Sequence, residues 1–141
     1  MTNPKQPNEE QLQQMYMQLQ QIDTQIQELS KELKTVDQKK GEFLKLGEDL
    51  GKLSTTKIDS KTFTNVGAGI FAEAKLTNTK DFLINVGANT YVKKPVAEVQ
   101  TLLKHQSKEL EKVEGQLQQN IQMLSMQAQI IQGEMQKAMG L

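Results

Sequence analysis

Two long heptad patterns, divided by one stretch that obeys a different period, limit what this chain can fold into. The dividing stretch runs from Lys61 to Lys94 and contains a near-repeat. Asn65-Val66-Gly67-Ala68-Gly69 returns twenty residues later as Asn85-Val86-Gly87-Ala88-Asn89, each copy followed by one residue and then an aromatic, Phe71 and Tyr91. Around it the pattern has period two: Ile70, Ala72, Ala74 and Leu76 alternate with Phe71, Glu73 and Lys75, and Phe82, Ile84 and Val86 alternate with Leu83 and Asn85. That is strand spacing. Gly67-Ala68-Gly69, Thr77-Asn78-Thr79-Lys80-Asp81 and Gly87-Ala88-Asn89 supply residues that accept positive φ or close turns through side-chain oxygens, so four short strands are predicted, paired as two β-hairpins. Four short strands leave apolar side chains on both faces and unpaired edges, a combination that in water requires a partner. Val66, Ile70, Phe71, Phe82, Ile84, Val86, Tyr91 and Val92 are the expected oligomerisation residues.

Residues 1–8, with two prolines and polar neighbours, read as a flexible leader, and residues 9–53 as the first helix. Asn8 is placed to cap it, Glu9 and Glu10 complement its positive end, and Gln11 stands where a capping-box partner belongs. Leu12, Met15, Leu19, Ile22, Ile26, Leu29, Leu33, Val36, Lys40, Phe43, Gly47 and Leu50 are then spaced three and four without a slip, the seam of a left-handed coiled coil. It weakens at Lys40 and Gly47 and ends at Gly51 and Ser54-Thr55-Thr56. Residues 54–94 hold the hairpins. Residues 95–139 form the second helix, with Pro95 expected in its first turn. Val96, Val99, Leu103, Gln106, Leu110, Val113 and Leu117 continue a three-four pattern, and the next apolar residues are Ile121, Leu124, Ala128, Ile131 and Met135. The four-residue step from Leu117 to Ile121 follows another four, which predicts a stutter unless Asn120 takes the seam. Two helices of matched length, roughly 65 Å each at 1.5 Å per residue, fold back as an antiparallel pair. The fold class is α+β: a long antiparallel coiled coil with two β-hairpins inserted between its helices.

Composition excludes several functions. Only 36% of the 141 residues are apolar, 4% are aromatic and tryptophan is absent, so a large globular core is not expected. Seventeen basic residues, all lysine, balance seventeen acids, and the lack of arginine argues against a nucleic-acid partner. There is no cysteine for a disulfide, metal site or nucleophile, no signal-like opening, and no apolar run that would span a membrane, so a cytoplasmic protein is expected. The glycine turns lack the helix start and the Gly-Lys-Ser/Thr of a phosphate loop. His105 stands alone between Lys104 and Lys108, and pairs such as Glu48 and Asp49 or Glu109 and Glu111 fall on helix surfaces. No enzymatic activity and no cofactor or metal are expected.

The methionines carry more information. All seven, Met1, Met15, Met17, Met123, Met126, Met135 and Met139, lie in the first seventeen or last nineteen residues, which an antiparallel hairpin brings together. Methionine is flexible and polarisable, and suits surfaces that repack around many apolar shapes. Met15 and Met135 fit seam positions; Met17 and Met139, with Tyr16 and Leu141, do not. Leu12, Met15, Tyr16, Met17, Leu19, Ile131, Met135, Met139 and Leu141 are therefore the candidate residues of a promiscuous apolar binding surface.

Heptad helix, tandem hairpins carrying Val66-Gly67-Ala68-Gly69-Ile70-Phe71-Ala72-Glu73-Ala74-Lys75-Leu76 and Asn85-Val86-Gly87-Ala88-Asn89-Thr90-Tyr91-Val92, then a second heptad helix: over nearly its whole length the chain resembles the alpha class of the prefoldin family. Two hairpins rather than one indicate the alpha class, and the one departure, Asn89 where the motif often has glycine, keeps a residue that tolerates a left-handed backbone. The resemblance implies a hexamer of two alpha and four beta-class subunits whose hairpins form a β-barrel platform. It also implies an ATP-independent holdase that captures unfolded chains at the coil tips and delivers them to a group II chaperonin. The alternative is a structural coiled-coil scaffold or adaptor for one folded partner.

Overall fold

The computed structural model describes residues 9–140, so the expected leader with its Asn8 cap, and Leu141, lie outside the described residues. Six elements follow in order: α1 (Glu9–Leu53), β1 (Lys61–Gly67), β2 (Ile70–Lys75), β3 (Asp81–Gly87), β4 (Thr90–Pro95) and α2 (Val96–Ala138). The chain divides into two compact units, one formed by residues 1–38 and 110–141 and the other by residues 39–109, so each helix contributes to both.

Heptad spacing decides which side chains of α1 are covered. Between Glu9 and Leu50, the twelve positions withdrawn from solvent are the twelve of the three-four seam, Leu12 through Leu50, and every other residue is exposed. Lys40 and Gly47 are among them, so the seam continues geometrically where its composition weakens.

In α2 the structure corrects the sequence reading. Gln106, Val113 and Asn120 are exposed, whereas Ser107 is buried and Glu114 is half-buried. With these two in place the seam runs Gln100, Leu103, Ser107, Leu110, Glu114, Leu117, Ile121, Leu124, Ala128, Ile131, Met135 and Ala138, in unbroken steps of three and four. No stutter remains. The expected one came from placing Gln106 and Val113 in the seam instead of their neighbours Ser107 and Glu114. A hydroxymethyl group is small enough to be covered, and a Glu can lay its methylenes along a seam while its carboxylate reaches outward; Glu114 is half-buried and is not without an interaction partner.

In the first unit the two helices run antiparallel, residues 12–17 lying beside 135–139 and residues 18–25 beside 127–131. Ile22 and Leu117 are its buried apolar residues. In the second unit Val99 and Leu103 are buried, and the Gln100 Nε2 donates to the Gly47 carbonyl at 3.0 Å. The close approach needs glycine one turn on: a Cβ on Gly51 would lie 3.0 Å from that same nitrogen. Past Leu53 the last carbonyls of α1 are taken up by hydroxyls, Ser54 Oγ donating to Gly51 O at 2.6 Å and Thr55 Oγ1 to Lys52 O at 2.7 Å. Lys80 Nζ donates to Ser54 O at 2.8 Å, placing a cation at the negative end of the helix.

The strands form two separate antiparallel pairs, β1 with β2 and β3 with β4. The near-repeat is explained by its turn. Ala68 (φ 50°) and Gly69 (φ 78°), like Ala88 (φ 50°) and Asn89 (φ 57°), form two-residue loops with both residues left-handed, the type I′ geometry whose twist matches that of the strands. One residue earlier the register slips between Asn65 and Gly67 and again between Asn85 and Gly87, a bulge at Val66 and Val86. Gly67 (φ 143°) and Gly87 (φ 118°) sit where a side chain is not tolerated. Their amides are held at 2.9 Å by the side-chain oxygens of Asn65 and Asn85. Each member of Asn-Val-Gly-Ala-Gly/Asn thus has a place: oxygen clamp, bulge, forced backbone, and two turn residues.

The most covered described residue of the second unit, Thr79, lies in the linker between the hairpins. Thr79 is 2% exposed, and Asn78 Oδ1 accepts from the amides of Lys80 at 2.9 Å and Asp81 at 3.0 Å, which fixes the entry into β3. Pro95, expected in the first helical turn, instead ends β4 opposite Asp81, where its missing amide costs the ladder nothing more. The helix starts one residue later, with the Val96 amide bonded to Lys80 O at 2.9 Å.

Candidate functional site

The first unit carries an apolar groove of about 380 Å³ lined by Leu12, Gln13, Tyr16 and Met17 of α1 and Met135 and Met139 of α2. The helix register sorts its side chains into two kinds. Leu12, Met15, Leu19, Ile131 and Met135 occupy seam positions and are half-buried, forming the floor that holds the helices together. Tyr16, Met17 and Met139 stand outside the seam and are 58%, 60% and 54% exposed. Of the nine candidate binding residues, five therefore belong to the seam, three are presented to solvent, and Leu141 lies outside the described residues.

Three further exposed apolar side chains of the same unit stand outside the nine candidates: Met123 and Met126, which belong to the methionine group read from the sequence, and Ile130, which sequence reasoning missed. Their spacing of three and four repeats the seam period on a face that is not the seam, a signal present in the sequence. Ile130 borders a second groove of about 350 Å³ with Gln18, Gln21, Ile22, Gln25, Gln127 and Ile131, whose walls are mostly glutamine. Apolar surface of this unit thus lines the groove where α1 begins and α2 ends, gives way to glutamine in the neighbouring groove, and continues along α2 as Ile130, Met126 and Met123.

In the second unit the hairpin register defines two faces. Directly opposed residues share a face, so Phe63, Asn65, Phe71 and Glu73 lie together, as do Leu83, Asn85, Tyr91 and Lys93. Phe63 with Phe71 and Leu83 with Tyr91 are equivalent diagonal pairs, related by the twenty-residue repeat, and all four are exposed. The other face bears Ile70 and Ala72 in the first hairpin and Phe82, Ile84 and Val92 in the second. Phe82 and Ile84 are already half-buried within the protomer, while Val66, Ile70, Phe71, Val86, Tyr91 and Val92 are exposed. Phe63 and Leu83, 66% and 68% exposed, were not among the expected oligomerisation residues. Extending the repeat two residues upstream of Asn65 and Asn85 finds both. Each strand has one pairing neighbour, so every hairpin presents two unpaired edges.

No described helix is long and apolar enough to cross a membrane. Among the described residues no three His, Asp or Glu side chains gather into a group able to hold a metal ion.

Comparison with known proteins agrees with this architecture. The prefoldin family profile, described as "Prefoldin subunit", matches residues 22–140. A prefoldin subunit alpha of Methanocorpusculum labreanum is 31% identical over 108 residues, covering 77% of this chain and 74% of the relative. One from Methanococcus vannielii is 30% identical over 128 residues, covering 91% and 86%. A chain from the cryo-EM structure of filamentous PFD from Methanocaldococcus jannaschii superposes with a TM-score of 0.76 over 84% of this chain and 98% of its own, at 19% identity. With its two hairpins between two heptad helices, the chain belongs to the prefoldin family of chaperones, as an alpha-class subunit.

Proposed function

We infer that this chaperone subunit acts as an ATP-independent holdase, gripping non-native polypeptides where α1 begins and α2 ends and passing them to a group II chaperonin. The observation that carries the reading is the exposure of Tyr16, Met17 and Met139 around an apolar groove whose floor the seam supplies. Flexible thioethers around a preformed apolar floor can follow many shapes, which suits clients that share only exposed hydrophobic side chains. Several such ends on one particle raise avidity through effective concentration, so each contact can be weak.

Assembly supplies those several ends. The hairpin faces bearing Phe63, Phe71, Leu83 and Tyr91 and the unpaired strand edges are surfaces that pairing with other subunits would cover. Two alpha and four beta-class subunits joined as a β-barrel platform is the arrangement proposed. The chain works in the cytoplasm, without a cofactor, catalysis, nucleic acid or membrane.

A scaffold for one folded partner remains the competing reading, and the seam no longer argues against it, because the heptads run regularly to Ala138. What favours holding is the apolar surface off the seam, which a dedicated two-helix scaffold has no use for. Deleting residues 130–141 should weaken protection of a denatured test protein against aggregation while leaving the mass of the assembled complex unchanged. Equal protection by the intact and shortened complexes would move client binding away from this end.

A further inference from the structure

The chain has no cysteine, so its thioethers are its only oxidisable sulfur, and their placement is uneven. No methionine lies between Met17 and Met123, so the second unit, with all four strands, contains none. In the first unit the described methionines fall into two classes. Met15 and Met135 are half-buried in the seam; Met17, Met123, Met126 and Met139 are between 54% and 61% exposed. Two of the exposed four line the apolar groove.

We propose that Met17, Met123, Met126 and Met139 are a modification site: peroxide oxidation of these four thioethers reversibly switches off client holding and leaves assembly intact. The chemistry is a two-electron oxygen transfer. The sulfur lone pair attacks one peroxide oxygen, the O–O bond breaks, an S–O bond forms, and the second oxygen leaves with both protons as water. Sulfur is oxidised to the sulfoxide, peroxide is reduced, and methionine sulfoxide reductases reverse the change. A sulfoxide is polar and hydrated, so an oxidised side chain no longer offers the apolar surface that makes promiscuous binding adhesive. Access to peroxide follows solvent exposure, so the surface thioethers should react before Met15 and Met135, whose oxidation would loosen the seam itself. The strands lie beyond reach of this chemistry because they carry no sulfur.

This inference rests on the holdase reading, and the experiment separates the two. The native complex is treated with graded hydrogen peroxide, quenched with catalase before any client is added, and sampled for peptide mass, oligomeric mass and suppression of aggregation. The expected result has three parts: sulfoxide accumulating at Met17, Met123, Met126 and Met139 ahead of Met15 and Met135, holding weakened about tenfold for each thioether withdrawn from the client, and an unchanged oligomeric mass. Methionine sulfoxide reductases should restore protection. A variant carrying Met17→Leu, Met123→Leu, Met126→Leu and Met139→Leu is compared only with itself: whatever protection it gives before peroxide should not fall further on oxidation, and because it retains Met1, Met15 and Met135, such a fall would overturn the assignment. Unchanged protection with all four sulfurs oxidised would overturn it as well, as would a fall in oligomeric mass that tracks the loss of protection. Absence of protection before any peroxide is added refutes the holdase reading, and this proposal with it.

Discussion

Adding a methyl group at four helical glycines should have unequal effects, and Gln100 is the reason. Gly41, Gly115 and Gly133 each have nothing within 4 Å of where a Cβ would stand, so Gly→Ala there should stabilise the helix by the full difference in propensity, about 0.8–1 kcal/mol. At Gly51 the same methyl would come 3.0 Å from Gln100 Nε2, tighter than an ordinary contact, and that nitrogen donates to Gly47 O at 3.0 Å. Moving the amide aside costs a hydrogen bond worth about 0.5–1.5 kcal/mol, so Gly51→Ala should be close to neutral. Removing the amide first restores the benefit: in a Gln100→Ala background, Gly51→Ala should again stabilise by about 1 kcal/mol. The coupling between positions 51 and 100 is then about 1 kcal/mol, well above the few tenths expected of independent sites. Urea unfolding followed by far-UV circular dichroism, at fixed protein concentration and fixed subunit composition, reads all four corners of the cycle. Equal effects of Gly51→Ala with and without Gln100 would refute the claim that glycine is needed there for the side chain's approach.

Three further outcomes follow from exposure and backbone geometry. Phe63→Asp combined with Leu83→Asp should cut the size-exclusion mass of the complex while helical circular dichroism is kept, because both side chains are exposed in the protomer and burying residues of this size elsewhere is worth about 1.5–3 kcal/mol each; an unchanged mass would remove that face from assembly. Ser107→Asp should lower stability by several kcal/mol through a buried unpaired charge, whereas Gln106→Asp, on the exposed face, should cost less than about 1 kcal/mol; equal effects in denaturant melts would restore the stuttered seam. Gly67→Ala and Gly87→Ala should each destabilise a hairpin by about 1–3 kcal/mol, since φ values of 143° and 118° are closed to alanine, and amide exchange in the strands would report it.

What the sequence made legible was periodicity, and what it hid was polar residues acting in apolar positions. The α1 seam was readable to its last member because apolar residues occupy most of its positions, and Lys40 and Gly47 could be placed by counting from either side. In α2 the same count fails when started from hydrophobicity, because Val113 beside Glu114 offers a plausible wrong choice, and a single such choice manufactures a stutter downstream. Counting back from Ile121 in alternating steps of four and three gives Leu117, Glu114, Leu110, Ser107 and Leu103, and would have excluded it. The hairpins were legible through turn chemistry, and the alternation of Ala72 and Ala74 with Phe71 and Glu73, and of Phe82 and Ile84 with Leu83 and Asn85, holds in the register; only at Val66 and Val86 does a bulge break the count on which face assignment rests. Met123 and Met126 were legible as methionines but not as a stripe with Ile130, as attention to the seam discards apolar residues that do not fit it.

Those discarded residues matter because of where polarity is spent. The seam admits Gln100, Ser107, Glu114, Lys40 and Gly47, sacrificing buried hydrocarbon in the interior, while Tyr16, Met17, Met123, Met126, Ile130 and Met139 are left in water. A chain selected only for stability would reverse this, since moving an exposed apolar side chain into a seam position gains burial at no cost in composition. The arrangement is coherent if the exposed apolar side chains are needed for a partner that is absent part of the time. Methionine then serves better than leucine or phenylalanine, because its flexible stem is adaptable when bound and does not require one fixed partner surface.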